Sequence, residues 1–175
     1  MLRVKAGDLN RMGLLFERYH RELFGFFYHI SSNADAGEDM VQTVFYRMLK
    51  YRHTFTGEGF RTWMYHVARN VFADSVQQNK RSGQQYDVAD YADRIGGGAL
   101  ADESLQKAEE TAMLQNALAR LSNDHREVLV MSRYQELTYS EIARILELTE
   151  GAVKVRVHRA MNELKKLYLN REYER

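Results

Sequence analysis

Apolar side chains return every three or four positions along most of the chain, the period of an α-helix with one buried face. The first such run is Leu9, Met12, Phe16, Leu23, Phe27 and Ile30, with Tyr19 and Phe26 beside it and Asp8 in position to cap its start. Ser31-Ser32-Asn33 ends that helix. Asp35-Ala36-Gly37-Glu38 has the spacing of a capping box, with Asp in place of Ser or Thr, and predicts the start of a second helix. Met40, Val41, Val44, Phe45, Met48 and Leu49 form its apolar face, opposite Asp39, Gln42, Arg47 and Lys50. Thr54-Phe55-Thr56-Gly57-Glu58-Gly59 breaks the pattern, and a third helix is expected from about Phe60 to Gln78, apolar at Trp63, Met64, Val67, Val71 and Phe72.

The same period returns near the C-terminus. Met113, Leu114, Leu118 and Leu121 mark one helix, and Ser122 caps the next, which carries Val128, Leu129 and Met131. Thr138-Tyr139-Ser140-Glu141 is a capping box opening a third helix with Ile142, Ala143, Ile145 and Leu146 inward. Thr149-Glu150-Gly151 is a tight break before a longer helix from about Ala152. A short helix, a turn with glycine and a longer helix have the dimensions of a helix-turn-helix. On a wheel of about 100° per residue, Val153, Val157, Ala160, Leu164 and Leu167 share one side. Val155, His158, Arg159, Asn162, Lys165 and Lys166 lie opposite, with Lys154 and Arg156 flanking the apolar stripe. The plain alternative is a helical hairpin with a solvated charged face.

Composition sharpens this picture. The 175 residues include no proline, which suits helices joined by short turns, and no cysteine, which excludes disulfides, thiol catalysis and cysteine-ligated zinc or iron–sulfur clusters. No apolar run approaches the ~20 residues of a membrane span, and the N-terminus shows no signal-peptide core. These features predict a cytoplasmic protein without membrane insertion. The net charge of +1 hides a pattern of +4 over residues 1–81, −5 over 82–111 and +2 over 112–175. Gly83 to Asp102 holds Gly96-Gly97-Gly98, four aspartates and few large apolar residues. A segment that buries so little does not offset its ordering entropy. The expected fold is therefore all-α, with two small helical domains, 1–81 and 112–175, joined by a flexible acidic linker over 82–111. The second is a four-helix domain containing the helix-turn-helix.

The candidate chemistry is binding. Basic residues that geometry turns outward suit the major groove, where Arg and Lys read guanine edges and phosphates take the rest. With so few of them, affinity should be modest and salt-sensitive. Most aromatics of the first block fit a core, but Phe55 and Phe60 flank the glycine loop, where an aromatic can stack on an unpaired base. No phosphate-binding glycine loop, metal-ligand cluster or convincing nucleophile–base pair is present, so neither catalytic nor metal-binding residues nor a cofactor are expected. His66 and Asp74, eight positions apart on one helix, lie about 12 Å apart along its axis, too far for a dyad. Two other classes compete: an autonomous helix-turn-helix regulator with a sensing first domain, and a helical enzyme.

Longer motifs now resemble one family. In the first block they are Gly37-Glu38-Asp39-Met40-Val41-Gln42-Thr43-Val44-Phe45, Phe60-Arg61-Thr62-Trp63-Met64-Tyr65 and Ala68-Arg69-Asn70-Val71-Phe72-Ala73-Asp74. In the second they are Leu121-Ser122 with Arg126-Glu127-Val128, then Leu137-Thr138-Tyr139-Ser140-Glu141-Ile142-Ala143 and Gly151-Ala152-Val153-Lys154-Val155-Arg156-Val157-His158-Arg159-Ala160. In this order and spacing they resemble the extracytoplasmic-function bacterial sigma factors over roughly residues 10–81 and 112–168. The resemblance implies a non-enzymatic subunit that binds core RNA polymerase and directs it to promoter DNA. It implies polymerase contacts at Asp39, Gln42 and Phe45. It also implies −10 contacts at Thr54, Phe55, Thr56, Phe60, Trp63, Arg69 and Asn70, with the Thr54–Phe60 loop receiving a flipped base. For the −35 element it implies Thr138, Tyr139, Lys154, Val155, Arg156, His158 and Arg159, although Thr138 is already explained as a cap. An anti-sigma factor, membrane-bound for many members, is the implied inhibitor. A monomer is expected for the free chain. Two departures stand out: Ser75-Val76-Gln77-Gln78-Asn79 lacks the usual basic residues, and Ser122 replaces a usual proline.

Overall fold

The computed structural model describes residues 1–82 and 101–170, and among them every regular element is helical. The elements are α1 (Leu2–Lys5), α2 (Arg11–Ser31), α3 (Ala34–Lys50), α4 (Phe60–Ser82), α5 (Ala101–Arg120), α6 (Asn123–Leu129), α7 (Tyr139–Leu146) and α8 (Glu150–Asn170). A 3-10 turn at Arg52–Thr54 precedes the glycine loop, and a π-helical turn at Val130–Tyr134 extends α6.

Local chemistry explains most boundaries. Ser122 caps α6 by accepting from the His125 N–H. Thr138 and Glu141 form both halves of the capping box of α7. One expected cap is replaced by a neighbour and another is not formed. The side chain of Asn33, not Asp35, accepts from the Ala36 N–H at 2.8 Å, because only Asn33 sits in extended backbone just before the helix. The carboxylate of Asp8 pairs with Arg11 at 3.3 Å, and α2 starts after Asn10 without a side-chain cap. The helix α1 is not signalled by any periodicity, since four residues are too few to show one. Residues 101–111, given to the linker by their acidity, begin α5. Their run of Ala, Leu, Gln, Lys and Glu has high helix propensity, which net charge does not report. The rest of the expected linker, residues 83–100, lies outside the described residues.

Helices α2, α3 and α4 pack around Leu23, Phe26, Phe27, Ile30, Val44, Met48, Met64 and Ala68, all nearly or fully buried. Helices α5 to α8 enclose Leu118, Val128, Leu129, Ile142, Ile145, Val153 and Ala160. The buried apolar side chains of both units join into one cluster. Contacts of α4 with α7, and of α2 with α5 and the π turn, carry the junction. The two helical units are thus docked face to face.

Candidate nucleic-acid interface

The helix-turn-helix is built from α7, a three-residue turn and α8. Glu147 ends α7 in the left-handed region, φ 56°, and the Thr149 hydroxyl accepts from the Ala152 N–H at 3.1 Å at the start of α8. Val153, Val157 and Ala160 are buried, while Lys154, Val155, His158 and Arg159 are exposed. Val155 is 49% exposed, an apolar side chain standing among cations. The His158 ring lies 3.1 Å from the Asn162 amide, and Arg156 is half-buried beside Asp124 at 3.5 Å. Tyr139 is exposed at the start of α7, whereas the Thr138 hydroxyl is engaged with Glu141. One face of α8 therefore presents two cations, an imidazole and a valine side by side. That is a chemistry for base edges and phosphates.

The loop before α4 is organised by its aromatics. Phe55 is only 3% exposed and packs edge-on to Phe60 at 6.0 Å and against Trp63 at 5.4 Å. Phe55 is thus the floor of this site and does not offer a free stacking face. The indole N–H of Trp63 donates to the Thr54 hydroxyl at 3.2 Å, tying the loop to the helix. Thr54 and Thr56 stay exposed. Gly57 and Gly59 have φ of 108° and 59°, the region that favours glycine. Asn70, exposed and 3.4 Å from the His66 ring, lies two turns along α4 from Trp63 on the same side.

On α3 the outward residues are Asp39, Gln42 and Tyr46, spaced three and four apart. Tyr46 is 63% exposed, an aromatic outside the core of this unit. Phe45 is buried beneath Phe16, ring centroids 5.0 Å apart, so it supports this face from below.

The remaining polar groups join the two units. Arg61 donates to Glu22 at 2.7 Å and to the Gln135 carbonyl at 2.9 Å. The Tyr65 phenol, fully buried, lies 2.9 Å from Glu22 and 2.7 Å from the Gln135 side chain, and burial beside Glu22 pushes its pKa far above the usual phenol value. Arg69 donates to Glu127 at 3.0 Å. Burial pushes the Glu127 carboxyl up, and Arg69 offsets this only in part. Arg126 donates to four carbonyls: Leu118, Ala119 and Leu121 at the end of α5, and Ile30 at the end of α2. There it satisfies helix termini of both units and complements their dipoles. Gln115, buried, donates to the Tyr28 carbonyl at 3.2 Å and accepts from the His29 ring at 3.0 Å. Apart from the bonds of Arg126 to the end of α5, these pairs lie 39 or more positions apart in the sequence. Arg126 and Glu127 belong to a quoted motif, and here that motif holds the docking surface.

Comparison with known proteins agrees with this anatomy. Residues 15–82 match the family model described as Sigma-70 region 2, and residues 111–164 match Sigma-70, region 4. The chain is 29% identical to the extracytoplasmic-function (ECF) RNA polymerase sigma factor SigX of Bacillus subtilis over 160 residues, 87% of this chain and 81% of that protein. It is 27% identical to SigW of the same organism over 171 residues, 93% of this chain and 91% of that protein. Among solved structures it superposes on the sigma factor RpoE from Bartonella quintana, crystallised with the anti-sigma factor NepR, with a TM-score of 0.70 at 25% identity. That match covers 89% of this chain and 94% of RpoE. With both regions matched in order and the relatives aligned along nearly the whole chain, this protein belongs to the ECF-type sigma factors, which direct promoter-specific transcription initiation.

Proposed function

We propose the following division of labour. The outer face of α3, with Asp39, Gln42 and the newly seen Tyr46, binds core RNA polymerase, and Phe45 holds that face in shape from beneath. The Thr54–Phe60 loop and the side of α4 bearing Trp63, Arg69 and Asn70 take the −10 element. Thr56 offers its hydroxyl to the edge of an extruded base, Thr54 shapes the loop beside it through its bonds to the Tyr51 carbonyl and the Trp63 indole, and Phe55 and Phe60 underlie it. Unpairing costs a few kcal/mol in order of magnitude, offset by polymerase binding and single-strand capture. The −35 element is read in the major groove by Lys154, Val155, Arg156, His158 and Arg159, with Tyr139 at a phosphate. Val155 takes an apolar edge such as a thymine methyl.

The observation that carries this reading is the outer face of α8, with Lys154, Val155, His158 and Arg159 exposed while Val153 and Val157 are buried. Arg69 does not serve DNA while it is paired with Glu127. Initiation then requires the two units to part, and the polymerase surface is the natural agent. RpoE was crystallised with an anti-sigma factor, and a partner of that class is proposed here as well, acting on a cytoplasmic, monomeric chain that is not an enzyme.

Size-exclusion co-elution of the full chain with core RNA polymerase tests the proposal. Co-elution that is lost in Asp39→Arg, with unchanged helicity, is the expected result. A folded chain that fails to co-elute, or a variant that binds as well as the wild type, overturns the α3 assignment.

A further inference from the structure

The first residues of the chain lie outside the part matched to the family, which begins at residue 15, yet they are tied to the loop before α4. Val4 of α1 is completely buried. The Lys5 ammonium donates to the Phe55 carbonyl at 2.5 Å, fifty positions away in sequence. The Leu2 side chain stands over Gly57 so closely that a Cβ on that glycine would lie 3.4 Å from it. The Lys5 and Leu2 contacts fall on two neighbouring parts of the loop: the carbonyl of its buried aromatic, and the left-handed glycine that turns the chain after Thr56. The peptide after Phe55 is thus held from one side by Lys5, while its ring is held from the other by Phe60 and Trp63. Thr54 and Thr56, the exposed hydroxyls of the loop, flank that fixed point.

We propose that α1 is a buttress for this loop, with Lys5 as its positioning residue, so that residues 2–5 help set which base is accepted at −10. The inference rests on the reading of the loop as the base-receiving element. Lys5 touches no base in this account. It fixes the Phe55 carbonyl, and through it the direction in which the Thr56 hydroxyl points; the Thr54 hydroxyl is held separately by the Tyr51 carbonyl and the Trp63 indole. A charge-assisted bond to a single carbonyl is strong enough to select one loop conformation over its neighbours. Hydroxyls held in one direction discriminate among base edges better than hydroxyls that wander, as for any site fixed by its supporting contacts.

The test uses holoenzyme reconstituted with the full chain and a promoter library randomised across the −35 and −10 regions. Templates retained in open complexes are sequenced, and the enrichment ratio of the favoured base over the others is read at each −10 position. Four proteins are compared: wild type, Lys5→Met, Lys5→Arg and the loop variant Thr56→Ala. Lys5→Met is expected to lower the ratio at one −10 position about fivefold, the lower end of what one base pair contributes to discrimination. Lys5→Arg should restore most of it. The −35 enrichment and co-elution with core polymerase should not change. Hydrogen exchange of residues 54–59 should rise in Lys5→Met and nowhere else in the first unit. A general loss of stability would lower all enrichments together and leave their ratios unchanged. If Thr56→Ala shifts the ratio and Lys5→Met does not, the buttress is rejected while the loop keeps its role. If neither shifts it, the loop is not the base receiver and both ideas fall.

Discussion

The outer face of α8 and the Arg69 side of α4, both proposed above as DNA surfaces, are in opposite states. On α8, Lys154, Val155, His158 and Arg159 stand in solvent, free to meet a duplex. On α4, Arg69 is paired with Glu127 of the other unit. On the proposed reading, the face for duplex DNA stays open, while one cation of the face for melted strand is spent on holding the two units together. Thr54, Thr56 and Asn70 of that second face remain exposed, so binding to single strands in the absence of polymerase is discouraged through the Arg69 guanidinium alone.

Several measurements would break this contrast or sharpen it. The largest effect is expected from Arg126→Ala, which strips a shared donor from carbonyls ending both α2 and α5. With charged hydrogen bonds at about 1.5–3 kcal/mol each and strong non-additivity, a loss of about 3 kcal/mol in urea unfolding is expected; a loss below 1 kcal/mol would show the bridge to be dispensable. Next comes the double variant Arg156→Ala with Arg159→Ala. It should remove about 1–3 kcal/mol of −35 discrimination per lost base contact while single-strand binding is untouched, as measured by anisotropy on duplex and single-stranded probes. Unchanged promoter preference would reject α8 as the reader.

A smaller effect, in the opposite direction, should come from Glu127→Gln. It leaves shape intact and releases Arg69, so single-stranded −10 oligonucleotide should bind the free protein several-fold more tightly. No change would mean that the docked units do not compete with DNA. The smallest effect is that of pH. Burial lowers the pKa of His29, so the docked form holds it neutral. Its contribution is fully present above the ordinary value near 6.5, and it is lost as the pH falls from there through the depressed value. Fluorescence transfer between labels on α2 and α8 should fall on acidification from pH 7.5 to 5.5, less steeply in His29→Gln. Glu127 acts in the opposite sense, favouring the docked form as it takes up a proton, but only from the carboxylate range upward to its raised value. Equal slopes in the two proteins would remove His29 from the account.

Much of this architecture is written locally. The capping box at Thr138, the cap at Ser122 and the valine stripe of α8 each depend on neighbours within four positions, and each is legible without coordinates. What the pattern misreads are competitions between near-equivalent neighbours, such as Asn33 over Asp35, where backbone geometry decides. It also cannot separate a lining aromatic from a supporting one. The resemblance implies contacts at Phe55 and Phe45, but both are buried, and their partners Trp63 and Phe16 become visible only when helices cross. The polar latch is the least legible part. Gln115 and His29 are 86 positions apart, and each alone resembles an ordinary surface residue on a helix.

The π turn at Val130–Tyr134 gives the latch an unexpected vulnerability. There the Gln135 N–H donates to the Val130 carbonyl, five residues back, at 3.1 Å, so the chain carries one residue more than an α-helical turn holds. Removing one residue of that stretch would close the wide turn into an ordinary one; four residues at about 100° each sweep nearly the angle that five sweep in the wider turn, so the chain after it would keep its phase. The change would be local: the backbone that sets the Gln135 carbonyl against Arg61 and its side chain against Tyr65 would be laid differently, although no latch residue had been altered. A one-codon deletion would therefore loosen the grip between the halves while leaving the helix-turn-helix beyond it in register.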